Sequence, residues 1–310
     1  MAAHAGDAWF ARTTPEAVFF PRKAEDVSKL LRFANRRQIP VTARGAGRGY
    51  VGGCVPKRGG IVVSFTRMNR VLEINPVDGV GVVQPGVITG EFQAQARSHG
   101  LLYPPDPASL KECSLGGNIA TNAGGPRCLK YGVTRHYVLG LQVALADGTL
   151  VRVGGRTQKN KSGFDLVGIF VGSEGLLGLV TEITLRLIPA PPARAVLSAS
   201  FPDAATAAAC VQHIFREGFL PSALELADRF TLEAARKHLG AEHLPAGDAH
   251  LLLEIDGQPE SVRSESGTLA QILKLGGALE IATATTETDC ERLWDLRRQF
   301  SASLKATGLT

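Results

Sequence analysis

Apolar positions repeat at helical spacing near the start of the chain. Val27, Leu30, Leu31 and Ala34 lie three or four residues apart, which predicts an amphipathic helix between Pro21 and Pro40. Short apolar runs bounded by turn residues follow and predict strands at Val41–Ala43, Gly60–Phe65, Val71–Ile74, Val80–Val83, Leu139–Leu145, Leu150–Val153 and Val180–Leu187. Because helices and strands mix here without regular βαβ alternation, the first region is predicted to be α+β.

The pattern becomes regular after Pro189-Ala-Pro-Pro192, which predicts a domain boundary at this point. Strands are predicted at Ala195–Phe201, Ser222–Ala227, His250–Ile255 and Ala278–Ala282, and helices at Asp203–Glu217, Arg229–His238, Glu260–Leu275 and from about Glu287 onward. This alternation predicts a ferredoxin-like, split βαβ domain. The sequence therefore predicts two α+β domains, residues 1–190 and 191–310.

Composition narrows the function classes. The chain has 310 residues, of which 44% are hydrophobic and 20% charged, and no segment approaches the roughly 18 apolar residues of a membrane span. Residues 1–60 contain eleven Lys and Arg against four Asp and Glu, a surplus that suits either an anionic ligand or a solvated basic face. Without interleaved aromatic residues or a known module, this surplus does not indicate nucleic-acid binding.

Cysteine usage points to a reducing compartment. The five cysteines form no CxxC pair and are odd in number, which argues against a disulfide framework or a zinc site. Buried free thiols are the expectation, with a cytoplasmic location.

Glycine is the most informative residue type. Of the 35 glycines, 26 lie between Gly45 and Gly178 without a collagen-like period, which indicates backbone brought close to something repeatedly. The first dense loop, Arg44–Gly53, contains Gly47-Arg-Gly-Tyr-Val-Gly52, a literal GxGxxG. A Rossmann turn must open a helix, yet glycines and Pro56 interrupt the next residues. The alternative is a nest of backbone amides around a pyrophosphate, with Arg44 and Arg48 adding charge.

Two further glycine loops follow. Leu115–Gly125 consists almost wholly of Gly, Ala, Asn and Thr, and it predicts a loop that cannot build a core but can lie against a flat ligand. Asn118, Thr121 and Asn122 would supply donors and acceptors. The third loop, Gly172–Gly178, leads into a strand. The alternative for Leu115–Gly125 is an ordinary glycine-rich surface loop, and the alternative for Gly172–Gly178 is a plain turn before the strand.

Many separated motifs in order resemble one family. They run from Pro15-Glu-Ala-Val-Phe-Phe-Pro21 through Arg44–Gly53, Gln84-Pro-Gly86, Pro104–Ser109, Ser114–Gly125, Tyr131-Gly-Val133, Asp147-Gly148, Gly163-Phe-Asp-Leu166 and Gly172–Glu182. The chain resembles FAD-linked oxidases with a PCMH-type FAD-binding domain of the vanillyl-alcohol-oxidase fold. Within that family it is most similar to the glycolate oxidase large subunit and to D-lactate and D-2-hydroxyglutarate dehydrogenases.

The resemblance implies an FAD site. Gly45–Tyr50 would wrap the pyrophosphate, and small residues would line the flavin. The implied cofactor-binding residues are Gly45, Ala46, Gly47, Arg48, Gly49, Tyr50, Gly53, Pro107, Ser114, Gly117, Asn118, Thr121, Asn122, Gly124, Gly132, Glu174, Gly178 and Val180. No His occurs in Arg44–Gly53, where some covalent flavin attachments lie, so non-covalent FAD is expected.

The second domain resembles the family's substrate cap. Leu293-Trp-Asp-Leu-Arg297 matches a recurrent motif whose Arg is implied to bind the substrate carboxylate, and Ser301 lies one helical turn later. The implied reaction is oxidation of a D-2-hydroxy acid, glycolate or D-lactate in type, to the 2-oxo acid. The family's His-rich motif, which supplies a base and in some members a divalent metal, is absent here. No catalytic residue and no metal ligand is therefore assigned.

Three interpretations remain open. The first is an FAD-dependent 2-hydroxyacid dehydrogenase, truncated at its C-terminus. The second is a flavin-binding fragment or subunit without turnover of its own. The third is an NAD(P)-binding protein that uses Gly47–Gly52 as a Rossmann turn. The resemblance also implies an electron-transfer or iron–sulfur partner subunit, through which the chain could lie at the inner membrane face.

Overall fold

The computed structural model describes residues 1–240 and 244–308, except for the side chains of Ser301 and Lys305. The chain divides into two compact units. The first comprises Met1–Gly125 with Gly132–Ala190, and the second Pro126–Tyr131 with Pro191–Thr310. Six residues from within the first region thus belong to the second unit, a feature that local sequence patterns do not reveal.

The regular elements follow the predicted patterns closely. The helices are α1 (Ala24–Arg37), α2 (Thr89–Ser98), α3 (Leu115–Thr121), α4 (Cys128–Tyr131), α5 (Leu166–Phe170), α6 (Ala204–Arg216), α7 (Arg229–Leu239), α8 (Pro259–Leu275) and α9 (Glu287–Ala306). The strands are β1 (Ala17–Phe19), β2 (Val41–Arg44), β3 (Ile61–Ser64), β4 (Val71–Asn75), β5 (Val80–Val83), β6 (Leu101–Leu102), β7 (Val138–Ala144), β8 (Leu150–Gly154), β9 (Leu179–Arg186), β10 (Ile188–Pro189), β11 (Ala193–Phe201), β12 (Ala223–Ala227), β13 (Ala249–Gly257) and β14 (Glu280–Ala284).

The first unit contains three sheets. Strands β1-β3-β2 form a parallel sheet, strands β4-β5-β9-β7-β8 form an antiparallel one, and β6 pairs with β10. Strand β9 shows strict alternation, since Leu179, Thr181, Ile183 and Leu185 are buried and the residues between them are not. This mixture confirms the predicted α+β class.

Helix α1 is amphipathic, as its spacing predicts. Val27, Leu31 and Ala34 are buried, and Val27 and Leu31 belong to one apolar cluster with Phe65. The helix ends at Arg37 because Gln38 adopts a left-handed conformation, with φ of 54°. The chain then turns directly into β2.

The prediction of an irregular loop at Leu115–Gly125 is wrong over its first seven residues, which form helix α3. The Ser114 hydroxyl accepts a hydrogen bond from the Gly117 amide at 3.3 Å and caps the helix. Leu115 and Ile119, four residues apart, are fully buried and so contribute to a core after all. Gly116 allows close packing, because a Cβ there would lie 2.6 Å from the Cβ of Pro85.

The second unit has the predicted ferredoxin-like arrangement. Its sheet order is β12-β13-β11-β14, and every neighbouring pair is antiparallel. Asp203 caps α6 by accepting from the Thr206 amide at 2.7 Å, and Asp228 caps α7 by accepting from the Thr231 amide at 2.9 Å.

Both faces of this sheet are covered. Along β11, Leu197 and Phe201 join the cluster that includes residues of α6 and α8. Val196, on the opposite face, packs in a cluster with Trp294 of α9. Helix α9 therefore holds Trp294 against the sheet, three residues before Arg297.

Candidate functional site

A large cavity lies in the first unit. It is an open cleft with about 1110 Å³ of empty space, a volume that includes the solvent at its mouth. Its walls come from the loop after β2, the end of β3, helix α3, the loop before β9 and β9 itself. The predicted residues that line it are Gly45, Ala46, Gly47, Arg48, Gly49, Gly53, Pro107, Ser114, Gly117, Asn118, Thr121, Glu174, Gly178 and Val180.

The loop after β2 presents backbone amides. Gly47 has a φ of 68°, a conformation that favours glycine. Among the described residues, none accepts a hydrogen bond from the amides of residues 46–49. Consecutive amides of this kind suit an anion such as a diphosphate.

The predicted charge of Arg44 near the phosphates stays a prediction, but the structure shows which groups its guanidinium contacts. Its Nη1 donates to the Gly6 carbonyl at 2.5 Å and to Cys54 Sγ at 3.2 Å, and Arg44 is not among the cavity-lining residues. Its guanidinium also lies where a Cβ at Gly47 would project. Arg44 therefore supports the loop. Arg48 does line the cavity, and its Nε lies 2.9 Å from a carboxylate oxygen of Glu112.

The polar side chains of α3 are partly engaged by the protein. Asn118 Nδ2 donates to Thr89 Oγ1 at 2.7 Å, and the Thr121 hydroxyl donates to the Gly117 carbonyl at 3.0 Å. These bonds hold Asn118 and Thr121 in fixed orientations and leave the Asn118 carbonyl oxygen as an acceptor.

The third glycine loop docks onto α3. The amides of Gly172 and Glu174 donate to the carbonyls of Ile119 and Ala120 at 2.9 and 2.8 Å. Glu174 has a φ of 53°, an unusual conformation for a residue with a side chain. Two of the three glycine segments are thereby locked together along one wall.

Four predicted cofactor residues lie outside the cavity lining. Tyr50 is 59% exposed. Asn122 ends α3 with a φ of 48°, and its Oδ1 accepts from the Arg135 amide at 2.9 Å. Gly124 lies between α3 and α4, and Gly132, with a φ of 79°, follows α4.

Several lining residues were missed by sequence reasoning. They are mainly apolar residues from distant segments: Ala43, Phe65, Pro85, Cys113, Phe170 and Leu179. Pro85 and Leu179 carried a signal, since they belong to the Gln84-Pro-Gly86 and Gly172–Glu182 motifs. The others read as ordinary core or loop residues.

The thiols are less uniformly buried than expected. Cys113, Cys210 and Cys290 are buried, but Cys54 and Cys128 are half-buried. Burial raises the pKa of the Cys54 thiol, against the opposing effect of the Arg44 guanidinium. Cys54 is therefore a protonated thiol in the wall of the cavity.

A second, smaller cavity lies in the second unit and contains Arg297. The Nε and Nη2 groups of Arg297 both donate to Oε2 of Glu225 on β12. The guanidinium predicted to bind a substrate carboxylate thus already has a carboxylate partner 72 residues away in sequence. The side chain of Ser301, the other predicted substrate residue, lies outside the described part of the structure.

A buried histidine also lines this second cavity. His250 Nε2 lies 2.7 Å from the Ser198 hydroxyl, and its ring meets Phe300 edge to face. Burial lowers the pKa of His250 to about 4, so the ring is neutral near pH 7. The sequence placed this residue only at the start of a strand.

The carboxylate of Glu254 is buried next to this region and carries a dense set of partners. Arg127 donates to both of its oxygens at 2.8 and 3.2 Å, Arg194 donates at 2.9 Å, and Trp294 Nε1 donates at 2.8 Å. Burial alone would raise the pKa of Glu254, but the two guanidiniums lower it below its ordinary value. These bonds explain why the segment containing Arg127 belongs to the second unit.

The first cavity fits an FAD molecule by its chemistry. The amides of residues 46–49 suit a diphosphate, whereas Gly, Ala and apolar side chains elsewhere suit a flat ring. A Cβ at Gly45 would overlap the Ser114 hydroxyl and lie 3.3 Å from the Gly117 amide, so only glycine permits this close wall. The Rossmann interpretation is wrong, since residues 53–60 form turns and β3 follows directly at Ile61.

Two family models match the chain. The one described as "FAD binding domain" matches residues 15–154, and the one described as "FAD linked oxidases, C-terminal domain" matches residues 190–310.

Curated relatives agree with these matches. The chain is 40% identical over 293 residues to glycolate oxidase subunit GlcD of Bacillus subtilis, covering 94% of this chain and 62% of the relative. It is 40% identical over 286 residues to D-lactate dehydrogenase of Archaeoglobus fulgidus, covering 92% of this chain and 63% of the relative. The chain thus spans less than two thirds of these relatives.

A solved structure shows the same fold. An alkyldihydroxyacetonephosphate synthase aligns with a TM-score of 0.74 at 23% identity, covering 91% of this chain and 56% of that one.

Of the helices that the structure describes, none is long and apolar enough to cross a membrane. In the same part of the chain, no three His, Cys, Asp or Glu side chains are grouped as a metal site.

Proposed function

Because the chain belongs to the family of FAD-linked oxidases, we propose that it binds FAD non-covalently and oxidises a D-2-hydroxy acid to the 2-oxo acid. The observation that carries this proposal is the glycine-lined cavity of the first unit, with its run of amides that lack a partner among the described residues. The relatives named glycolate oxidase subunit and D-lactate dehydrogenase support the substrate class.

The chain's own residues would hold the cofactor in distinct ways. The amides of residues 46–49 would bind the diphosphate, with the positive charge of Arg48 beside them. Ser114, Gly117 and Asn118 of α3 would lie against the ring and ribityl chain. Bound FAD would supply the acceptor for the hydride that leaves C2 of the acid.

The second unit would bind the acid. Arg297 is the proposed partner of the substrate carboxylate, because a guanidinium can bind a carboxylate through paired hydrogen bonds. Glu225 engages the Nε and Nη2 side of this guanidinium, and among the described residues Nη1 has no partner. Nη1 is therefore the group that we expect to bind the acid. Ser301 remains a proposed helper, one turn further along α9.

The proposal extends to partners and location. One relative is named a subunit, so we propose that the chain passes electrons to a partner subunit of the iron–sulfur or similar electron-transfer type. Free thiols in the first cavity and in the core suit a reducing compartment, and we propose a cytoplasmic protein that can lie at the inner membrane face through its partner.

The test uses the purified chain loaded with FAD. The flavin's visible absorbance band should appear with the protein after gel filtration, and anaerobic addition of glycolate or D-lactate should bleach it. L-lactate, the enantiomer of D-lactate, serves as the control and should bleach it far more slowly.

The outcomes separate the interpretations. Failure of the folded chain to bind FAD would overturn the proposal at its centre. FAD binding without bleaching by any 2-hydroxy acid would support a flavin-binding subunit with no turnover of its own, and so would overturn the proposed oxidation.

A further inference from the structure

The cavity around Arg297 has walls of unequal character. We infer that this cavity selects 2-hydroxy acids with a single carboxylate and an apolar tail, and that Glu225 is the residue that sets this preference. The inference rests on the proposed function and adds to it the substrate class. It is carried by the charges and the lining of a cavity that lies within the second unit.

The charges of the lining residues favour an acid with a single carboxylate. Among the described lining residues, Arg297 is the one permanent cation, and Glu225 faces it with the opposite charge. His250 adds no charge near pH 7, because burial keeps its ring neutral. The described cavity therefore carries no net charge before an acid enters. One carboxylate gives it a single negative charge, and a second carboxylate would add another near Glu225.

The apolar side chains in the lining favour an acid with an apolar tail. Besides His250 and the hydroxyl-bearing Thr231, the remaining walls include the apolar side chains of Ala227, Leu252, Phe300 and Leu304. A methyl or short alkyl group can lie against these side chains at little cost. A carboxylate placed there would lose water without gaining a described cation, and that desolvation is unfavourable.

The elements that carry Arg297 and Glu225 are held in place by their neighbours. Arg297 lies between two anchored residues of α9: Trp294, which donates to buried Glu254 at 2.8 Å, and Phe300, which packs against His250. Glu225 extends from β12, whose register with β13 pairs it with Leu252. Because both partners are held by the scaffold, the guanidinium cannot swing to follow a second carboxylate.

The experiment compares D-lactate with D-2-hydroxyglutarate on the FAD-loaded protein. Calorimetric titration measures the Kd of each acid, and anaerobic flavin bleaching measures its reaction. We expect D-lactate to bind at least tenfold more tightly. In Glu225→Gln the amide oxygen still accepts from Arg297, but the negative charge is gone. The preference for D-lactate should therefore fall about tenfold, chiefly through tighter binding of the dicarboxylate.

Further variants of Glu225 distinguish an effect of its charge from an effect of its structural role. Glu225→Asp keeps the charge and should keep the preference, whereas Glu225→Ala loses the anchor and should weaken both acids. Glu233→Gln is the matched control, since Glu233 forms a similar pair with Arg229 at 2.8 Å on the solvent-facing side of α7, outside the cavity. It should leave both Kd values and the FAD content unchanged.

The Kd values and the bleaching of the flavin distinguish failure of the inference from failure of the proposed function. If both acids bind and bleach the flavin equally well, or if the dicarboxylate is preferred, the inference is overturned while the proposed function stands. The same holds if Glu225→Gln and Glu225→Asp both leave the ratio of Kd values at the wild-type level. If FAD binds but neither acid binds, the proposed function itself fails and the inference falls with it.

Discussion

The indole Nε1–H of Trp294 donates to the buried carboxylate of Glu254 at 2.8 Å. This bond gives two residues of the Leu293-Trp-Asp-Leu-Arg297 motif separate partners on the sheet. Trp294 binds Glu254 on β13, and Arg297, three residues later, binds Glu225 on β12. The motif is thus a two-point attachment of α9, and it orients the guanidinium before any ligand arrives.

Loss of the Glu254 charge should destabilise the second unit. In Glu254→Gln, Arg127 and Arg194 each lose a buried carboxylate partner, although Arg194 keeps Glu287 and Glu291, and the loss costs about 3 kcal/mol. Urea unfolding followed by Trp294 fluorescence, in a Trp9→Phe background, measures the loss. Glu233→Gln, which removes an exposed pair on α7, should leave the curve in place. Coincident curves for both variants would contradict the assignment of Glu254 as the central charge.

His250 should make stability depend on pH. Its folded pKa is about 4, below the ordinary value of 6.5, so the unfolded chain takes up a proton first as pH falls. The stabilising contribution is complete above pH 6.5 and is lost as pH falls toward 4. Its size is about 3 kcal/mol, from the shift in pKa.

The measurement compares unfolding free energies across this pH range. His250→Gln, which can still bond Ser198, should flatten the slope between pH 6.5 and 4. His213→Gln, at an exposed position on α6, should keep the wild-type slope. An unchanged slope in His250→Gln would show that other groups cause the acid sensitivity.

Gly45 should be essential for cofactor affinity. A methyl group there would overlap the Ser114 hydroxyl and crowd the Gly117 amide, displacing the loop from α3. We expect Gly45→Ala to weaken FAD binding at least about tenfold, since a loss of 1.4 kcal/mol corresponds to that factor. Titration of the apoprotein with FAD gives the Kd. Gly155→Ala is the control, because no atom lies within 4 Å of its added Cβ, and equal Kd values in the two variants would refute the expectation.

Arg297 should govern the Michaelis constant for the acid. Removing a charged hydrogen bond to a carboxylate costs about 1.5–3 kcal/mol, so Arg297→Gln should raise KM roughly 10- to 100-fold. Arg297→Lys should recover part of the loss. Arg292→Gln tests a neighbour on α9 whose side chain is 80% exposed, and its KM should match the wild type. A normal KM in Arg297→Gln would remove Arg297 from the proposed site.

The sequence pattern predicted helices and strands best where the hydrophobic period of a segment agrees with its burial. The stripe of α1 and the alternation of the second unit appear in the structure within a residue or two of their predicted bounds. Helix α3 was missed because the Gly and Asn residues of this segment have weak helical preference, and tertiary packing of Leu115 and Ile119 overrides it. The bonds of Arg44 to Gly6 and Cys54 were not foreseen, because a charge beside glycines looks the same in sequence whether it faces a ligand or supports the loop.

By itself, the sequence determined the α+β class, the ferredoxin-like order of the second unit and the family, because these depend on local periodicity and on ordered motifs. Only the tertiary structure decided which side chains meet. Residues 126–131 join the second unit through Arg127 and Glu254, which lie 127 residues apart, and Arg297 meets Glu225 across 72 residues. Pairs this distant leave no periodic trace in the chain, since their contact exists only once the sheet and helix α9 have packed together.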